Sequence, residues 1–315
     1  MDLQIKASDL EQAHERIKSH IHRTQVMTSR SINEFAGCSI YFKCENFQKI
    51  GAFKARGGLN AVLSLPKEER KRGVVTHSSG NHAQAVSLAA QMCGIPAYIV
   101  MPETAPEVKK KAVKGYGAEI TLCKPTIQAR KENANRIQQE TGAFLISPYN
   151  DNNVIAGQGT AGIEFLEDTD GLDALITPVG GGGLLAGTAL AAHYYSPTTK
   201  VFAGEPEGAQ DTYLSMKAGK MVTVDRPDTI ADGLLASMGD KNFAIIKELV
   251  EDVFLVNDEE IVAAMRLIWE RMKIIIEPSC AVPMAALLKN KEKFAGQKVG
   301  IILSGGNVDL GKLPF

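Results

Sequence analysis

Strand-like and helix-like stretches alternate along this chain, and the alternation restricts the fold more than any other feature. Between residues 73 and 150, four short apolar stretches are separated by three longer stretches with helical spacing. The apolar stretches are VVTHSS, AYIVMP, EITLC and AFLISPY, and the helical ones are HAQAVSLAAQMCG, APEVKKKAVKGYG and TIQARKENANRIQQETG. Strands that alternate with helices form mostly parallel sheets covered by helices. The sequence therefore predicts an α/β fold.

The same alternation resumes further along the chain with ALITPVG, LLAGTALAAHYY and KVFAGEP. A helix is predicted over ASDLEQAHERIKSHI with Ser8 as its N-cap, and the charged, proline-led stretch 66–73 is predicted to be a linker. We therefore predict a large domain formed by 1–66 and 151–315. A smaller domain, 73–150, is predicted to be inserted into it. A chain of 315 residues is long enough for both.

Composition excludes several classes of function. The net charge of -1 gives no electrostatic reason to expect a nucleic acid or an anionic membrane as partner. Five scattered cysteines without CxxC spacing indicate reduced thiols and not a disulfide framework or a zinc site. The first twenty residues lack the apolar core of a signal peptide, and no apolar run approaches the length of a membrane span. We expect a cytoplasmic protein.

Four consecutive glycines, Gly180 to Gly183, follow a predicted strand and open a predicted helix. Glycine lets backbone N–H groups approach an anion closely, and a helix N-terminus favours negative charge. The stretch lacks the Lys-Ser/Thr pair of a P-loop and the spacing of the dinucleotide fingerprint. It therefore predicts a site for a single phosphate.

Two further stretches place polar side chains where predicted strands end. HSSGNHAQA offers Ser78, Ser79 and Asn81 at a helix start, which suits a carboxylate and suits simple N-capping equally well. His77 and His82 in the same stretch are expected to pack or cap and not to bind metal. LSGGNVDL ends a strand with a small hydroxyl, which fits contact with a ring nitrogen or a tight turn.

Lys54 lies in FQKIGAFKARGG, between a phenylalanine and a pair of glycines. On its own such a lysine is expected to be solvated. Together with a phosphate cup and a carboxylate cradle, it supplies what a pyridoxal phosphate enzyme acting on an amino acid requires. In such enzymes a lysine amine bonds to the cofactor aldehyde.

The order of several motifs makes the prediction specific. The sequence resembles the fold-type II pyridoxal phosphate enzymes, the group that includes the tryptophan synthase β subunit, and among them the serine racemases and serine/threonine dehydratases. The resemblance implies two three-layer α/β domains, a small domain that closes over the substrate, and a homodimer. The motifs that carry it are FQKIGAFKARGGLNAV, THSSGNHAQA, VIAGQGT, VGGGGLLAG, TIADG, IIEPS and LSGGNVDL.

The resemblance also implies a role for individual residues. Lys54 matches the Schiff-base lysine, and Ser79 matches the acid/base on the opposite face of the cofactor. Racemisation needs one such group on each side of Cα. Around the cofactor, the matching residues are Phe53 and Gly233 on the ring faces, Gly180, Gly181, Gly182, Gly183 and Leu184 at the phosphate, Asn81 at the ring hydroxyl and Ser304 at the ring nitrogen; Ser78, Ser79, Asn81 and His82 match the substrate carboxylate site.

A divalent cation site is implied in EPEGAQD, where Glu205 and Asp211 would supply carboxylates and Ala209 a carbonyl. Oxygen ligands suit Mg²⁺ or Ca²⁺, although a polar loop would have the same composition. A nucleotide site of animal serine racemases is matched only in part, which leaves ATP as an allosteric activator an open prediction. The matching positions are Ser29, Lys49, Gln84, Lys109, Tyr116 and Asn307, and the differing ones are Arg30, Ser31 and Ile50.

The sequence predicts a serine racemase that also eliminates ammonia from L-serine and L-threonine, with three alternatives left open. Tyr149 stands where animal racemases have asparagine, as in many dehydratases, and Ala236 replaces a serine near their substrate. One alternative is therefore a dehydratase without racemase activity. A second is a lyase for threo-3-hydroxyaspartate, whose extra carboxylate would need a cation such as Arg130, which is equally suited to a solvated helix face. A third is a non-catalytic sensor that kept the fold.

Overall fold

A computed structural model describes residues 3–78, 80–105 and 107–315, with the backbone alone for Val108. Ser79, the predicted second acid/base, lies outside the described residues. The strands of the described part form two separate sheets, one of six strands and one of four. The predicted α/β fold is confirmed.

The six-stranded sheet has the order β1-β2-β10-β7-β8-β9, in which only the edge pair β1–β2 is antiparallel. Its inner strands are nearly continuous apolar runs because helices cover both faces. All five residues of β7 are buried. The strands are β1 (Val26–Thr28), β2 (Ser39–Cys44), β7 (Ala174–Pro178), β8 (Lys200–Pro206), β9 (Val250–Val256) and β10 (Lys298–Leu303).

The four-stranded sheet is parallel throughout and has the order β5-β4-β3-β6. Its strands come from the stretch that the sequence predicts to alternate regularly. The strand predicted over AFLISPY is shorter than expected, since Pro148 has no N–H for a ladder bond. The strands are β3 (Val74–His77), β4 (Ala97–Pro102), β5 (Glu119–Cys123) and β6 (Phe144–Leu145).

The helices fill the connections between strands. They are α1 (Ala7–Ile17), α2 (Arg30–Ala36), α3 (Lys54–Ser64), α4 (Lys67–Arg70), α5 (Asn81–Cys93), α6 (Glu107–Gly115), α7 (Ile127–Thr141), α8 (Asn152–Glu167), α9 (Gly183–Tyr195), α10 (Asp211–Ala218), α11 (Asp240–Leu249), α12 (Asp258–Met272) and α13 (Pro278–Lys289). In the described ranges, none of them combines the length and apolarity that crossing a membrane requires.

Two details of the helix prediction are wrong. Lys6, and not Ser8, is the N-cap of α1, and its N–H donates to the Asp9 carboxylate at 2.8 Å. The stretch predicted as a linker contains the short helix α4, which starts after Pro66. Acidic residues in its first turn, Glu68 and Glu69, favour that helix by their interaction with the helix dipole.

Helix α3 is wedged between α8 and α5, and this explains the two glycines that follow Lys54. A Cβ atom on Gly57 would lie 2.8 Å from the carbonyl oxygen of Val154 in α8, and one on Gly58 would lie 2.8 Å from the Cβ of Ala85 in α5. Such distances are too short for side chains. The helix that begins with the lysine therefore contacts its neighbours almost backbone to backbone.

Candidate active site

The loop before Lys54 is joined to the end of β10, the strand beside β2 in the six-stranded sheet. The Phe53 N–H donates to the Ser304 carbonyl at 3.0 Å, and Ala52 forms an isolated bridge with Gly305. Ile50, with φ of 60°, has a left-handed backbone that is strained for a β-branched residue. Lys54 is thereby fixed at the carboxyl end of the sheet, where parallel α/β proteins bind ligands.

The Lys54 amine lies near neutral groups. Its Nζ donates to the Pro148 carbonyl oxygen at 2.6 Å and lies 5.2 Å from the centroid of the Phe53 ring. Burial lowers the pKa of Lys54 to about 8. More of the amine is therefore neutral near pH 7 than for an ordinary lysine, and the neutral amine is the form that attacks an aldehyde.

The four glycines lie between β7 and the start of α9 and pack closely against their neighbours. A Cβ atom on Gly180 would lie 2.8 Å from the Leu234 Cα, and one on Gly181 would overlap the Tyr149 ring. Gly182 has φ of 91°, which disfavours other residues. The N-terminal N–H groups of α9 follow directly, with Leu184 in the first turn. Backbone of this shape at a helix N-terminus fits a phosphate group.

Asn242 holds the glycine backbone in place and was missed by the sequence reasoning. It is fully buried in α11, and its Nδ2 donates to the carbonyl oxygens of Gly181 at 2.6 Å and Tyr149 at 3.1 Å. A single asparagine in a helix carries no recognisable motif. Its role depends on a tertiary contact that the sequence does not display.

A polar network joins Asn81, at the start of α5, to the end of the chain. Its Nδ2 donates to Glu277 Oε1 at 2.9 Å, and its Oδ1 accepts from Asn307 at 2.8 Å. Burial, and after it the charge of Asp232, raises the pKa of Glu277 to about 7. The sequence reasoning quoted IIEPS but assigned Glu277 no role. An acidic residue directly before the proline that opens α13 was the available signal.

Ser78 and His82, two of the residues predicted for the carboxylate cradle, lie around the start of α5. The Ser78 hydroxyl accepts from the Gly80 N–H at 3.3 Å. His82 is buried, with its Nε2 3.3 Å from the Ile146 carbonyl oxygen. Burial and the nearby Lys54 charge lower the pKa of His82 to about 3, so the ring is neutral. This agrees with a packing role.

The predicted ring contacts include Gly233 and Ser304. The Gly233 N–H donates to Ser279 Oγ at 3.0 Å. Ser304 is buried at the end of β10, next to the loop that carries Phe53 and Lys54. The structure thus brings the lysine, the end of β10 and, through Pro148 and Tyr149, the glycine backbone into one region.

The predicted cation ligands are two buried carboxylates. Glu205 accepts from the N–H groups of Thr212 and Tyr213, both at 2.8 Å, and Asp211 Oδ2 accepts from the Met238 N–H at 2.8 Å. Burial raises the pKa of both acids, that of Glu205 to about 8.

Ala209 lies in the one-turn helix between those two carboxylates. Within the described ranges no group of three or more His, Cys, Asp or Glu side chains is placed to hold a metal ion. The predicted ligand set contains two carboxylates and one carbonyl, so its remaining ligands would be water.

Arg130 lies half-buried on α7, with its Nε 3.4 Å from the Thr126 carbonyl oxygen of the same helix. Its positive charge acts on His77, Cys123 and Tyr149. Burial lowers the pKa of His77 and Arg130 lowers it further, while for Cys123 and Tyr149 the charge of Arg130 opposes the upward shift of the pKa caused by burial.

Comparisons with known proteins agree with the geometry. The family model described as "Pyridoxal-phosphate dependent enzyme" matches residues 17–305. A "beta-hydroxyaspartate dehydratase" from Paracoccus denitrificans is 51% identical over 98% of each chain. A "Serine racemase" from Dictyostelium discoideum is 52% identical over 98% of this chain and 97% of its own length.

Solved structures show the same relationship. The crystal structure of serine racemase from Dictyostelium discoideum covers 97% of this chain and 99% of its own, with a TM-score of 0.93. The predicted resemblance to fold-type II enzymes is confirmed, and membership of an enzyme family argues against a non-catalytic sensor. The chain belongs to the pyridoxal-phosphate dependent enzymes.

Proposed function

We propose that the protein is a serine racemase that also acts as an ammonia-lyase on L-serine and L-threonine, forming pyruvate or 2-oxobutanoate. The observation that carries this proposal is the buried Lys54 amine, whose pKa is lowered to about 8 and which donates to the carbonyl of Pro148, next to the Tyr149 that packs against Gly181. The relative named serine racemase, at 52% identity, supports it.

The residues present fit pyridoxal phosphate. Lys54 would bind its aldehyde carbon, and Gly180 to Gly183 with the Leu184 N–H would bind its phosphate. Phe53 and Gly233 would lie on the two ring faces. Asn81 would meet the ring hydroxyl and Ser304 the ring nitrogen. When bound, the cofactor supplies an electron sink that acidifies the Cα proton of an amino acid.

The chain's own groups would then transfer protons on the two faces of Cα. Ser78, Asn81 and His82 would orient the substrate carboxylate, with Ser79 beside them. Lys54, as a neutral amine, would take the Cα proton of the L-isomer, and Ser79 would return a proton on the opposite face to give the D-isomer. Loss of the β-hydroxyl instead would give elimination.

We propose that 73–150 is a small domain that closes on the large domain, formed by 1–66 and 151–315, and excludes water during the reaction. The separation of the strands into two sheets supports this division, and several contacts cross it. Lys109 of α6 donates to Asp232, next to Gly233, at 2.5 Å.

The cation, nucleotide, oligomer and location predictions remain part of the proposal. Glu205, Ala209 and Asp211 would bind Mg²⁺ or Ca²⁺ between β8 and α10. ATP would be an activator. In its predicted site, Lys109 already donates a hydrogen bond to Asp232 and Asn307 already donates one to the Ile50 carbonyl. A homodimer in the cytoplasm is the expected form.

A second candidate is a lyase for threo-3-hydroxyaspartate. Two observations favour it: a relative named beta-hydroxyaspartate dehydratase at 51% identity, and the charge of Arg130 close to Tyr149 and His77. Arg130 would bind the distal carboxylate of that substrate. A dehydratase without racemase activity is the remaining alternative.

One assay separates these candidates. Purified protein is given L-serine, L-threonine or threo-3-hydroxyaspartate, and the D-amino acid and the oxo acid are measured together. We expect D-serine and pyruvate from L-serine, and a much higher kcat/KM for hydroxyaspartate would select the second candidate.

Ser79→Ala tests the racemase step directly. The variant should keep pyruvate formation from L-serine, because Lys54 alone serves that face, and lose D-serine formation. Ser64→Ala, on the far end of α3, is the control and should change neither product. A non-zero ratio of D-serine to pyruvate that Ser79→Ala leaves unchanged would rule out Ser79 as the second acid/base, and pyruvate without D-serine from the unaltered protein would select the dehydratase.

A further inference from the structure

A buried cluster of charges lies beneath the first turn of α3, two residues from Lys54. Arg56, Glu45 and Lys43 are completely buried and Glu164 is 1% exposed. Arg56 donates to both oxygens of Glu45 at 2.8 Å each, and to the two oxygens of Glu164 at 2.9 and 2.7 Å. Its remaining donor reaches Thr160 at 3.2 Å, so all five N–H groups are used.

Further bonds anchor the cluster to the frame of the protein. Lys43 of β2 pairs with Glu164 at 3.0 Å and donates to the Thr24 carbonyl at 2.7 Å. The Thr24 hydroxyl donates to Glu45 at 2.5 Å. Glu45 follows β2 directly and Glu164 lies in α8. Arg56 therefore ties α3 to the central sheet and to α8 at once.

Stability alone does not account for such a cluster. Removing four charged groups from water is costly, and well-packed apolar residues at the same positions often give an equal or greater free energy of unfolding. Two bidentate pairs do offer a fixed geometry, since a planar guanidinium donates two hydrogen bonds to each carboxylate in a single orientation. The cluster fixes how α3 is rotated about its own axis.

That rotation determines where the Lys54 amine lies. Residues two apart on a helix project about 200° from each other, so Lys54 and Arg56 leave α3 on opposite sides. Both reach groups attached to α8: the amine binds the carbonyl of Pro148, just before this helix, and the guanidinium binds Glu164 within it. Any rotation of α3 displaces both ends together.

We propose that Arg56 is a positioning residue, which holds the Lys54 amine in register with the cofactor site through its paired bonds to Glu45 and Glu164. The proposal rests on the proposed role of Lys54 and adds the group that aligns it. A misplacement of about 1 Å lowers a rate by about a hundredfold, so loss of the paired bonds should appear in kcat more than in binding.

The test compares Arg56→Lys with Arg23→Lys. Arg56→Lys keeps the buried charge and loses the bidentate geometry. Arg23→Lys makes the same chemical change at the edge of this network, where Arg23 donates twice to Asp168, itself a partner of Lys43, and forms no bond to α3 in the described residues. We expect Arg56→Lys to lower kcat by about tenfold to a hundredfold, with KM within threefold. Arg23→Lys should stay within twofold of the unaltered protein in both.

A second readout does not depend on turnover. The rate at which added pyridoxal phosphate bonds to the cofactor-free chain, followed by visible absorbance, should fall at least tenfold in Arg56→Lys. The reaction of pyridoxal phosphate with the cofactor-free Glu164→Gln variant, which keeps the side-chain size, should slow in the same way. Far-ultraviolet circular dichroism confirms folding, and should Arg56→Lys fail to fold, Glu164→Gln decides the question alone.

The outcomes are distinguishable. Borohydride reduction of the unaltered holoenzyme, followed by peptide mass analysis, should place the pyridoxyl group on Lys54; another lysine would overturn the proposed function itself. The positioning role alone would be overturned by a different combination of results. The pyridoxyl group would be on Lys54, and folded Arg56→Lys or Glu164→Gln would have an unchanged kcat and an unchanged rate of reaction with pyridoxal phosphate.

Discussion

Lys54 is a basic residue whose amine the structure pairs with a carbonyl and not with an acid. In the described part of the chain its Nζ donates to the Pro148 carbonyl, and burial lowers its pKa to about 8. Protonation of this amine is therefore disfavoured relative to a lysine in water. The residue is prepared for nucleophilic attack before any ligand is present.

The rate at which pyridoxal phosphate forms its bond to Lys54 should depend on this pKa. Above the pKa the amine is neutral and reactive, so the rate for the cofactor-free chain should rise as pH increases through about 8 and then level off. Free lysine, with an ordinary pKa near 10.4, should keep gaining rate over the same range. Stopped-flow absorbance between about pH 6.5 and pH 10 measures both, and a protein rate that still climbs steeply at the upper end would contradict the lowered pKa.

At this scale the sequence identifies residues that belong to motifs and misses those that act through distant contacts. Lys54 and the glycines lie in recognisable stretches, and the family match confirms the type of enzyme. Glu277 meets Asn81 across 196 positions of sequence, and Asn242 reaches Gly181 across 61. Asn81 and Asn242 are single polar residues in ordinary helices, which give no local sign of such partners because the contacts depend on tertiary packing.

Among the elements, α3 shows why the glycines after Lys54 cannot be replaced. Alanine normally stabilises a helix relative to glycine by about 1 kcal/mol. At Gly57 we expect the opposite, a loss of about 2 kcal/mol in the free energy of unfolding, because the new Cβ would meet the Val154 carbonyl at 2.8 Å and the Gln158 side chain. Urea denaturation measures the change.

Gly115 is the matched control for that substitution. It is also helical, in α6, and a Cβ there would meet no atom within 4 Å. Gly115→Ala should therefore leave stability unchanged or raise it by up to about 1 kcal/mol. If both variants shifted the urea midpoint in the same direction, close packing of α3 on α8 would not be the reason for Gly57.

The sequence predicts which elements exist better than it predicts where they begin. β4, β5 and β8 coincide with the predicted stretches AYIVMP, EITLC and KVFAGEP. The cap of α1 is misplaced, since Ser8 and Lys6 are both acceptable on local grounds and the Asp9 carboxylate decides between them. The glycine contacts of α3 depend on the distance between helices, which periodicity does not contain.

For the whole molecule, the proposed cation would join separate parts of the chain. Glu205 ends β8 and binds the start of α10, while Asp211 binds the Met238 N–H. A ligand that binds only the folded state raises the melting temperature. We therefore expect millimolar Mg²⁺ to raise the melting temperature measured by calorimetry, and a chelator to reverse the increase.

Asp211→Asn keeps the size of the side chain and removes one charge, so it should abolish that increase. Sodium chloride at matched ionic strength controls for general screening. An unaltered protein whose melting temperature is the same with Mg²⁺ and with chelator would rule out the cation site.

The position of β10 between β2 and β7 has a consequence for the order in which the protein is made. A ribosome adds about 5–20 residues per second, so β2 emerges many seconds before the strand that must lie beside it. During that interval its inner edge is open and prone to pair wrongly. The four-stranded sheet, whose strands are close together in the chain, can form meanwhile. The loop that positions Lys54 is fixed only when Ser304 has been synthesised and its carbonyl accepts the hydrogen bond from the Phe53 N–H.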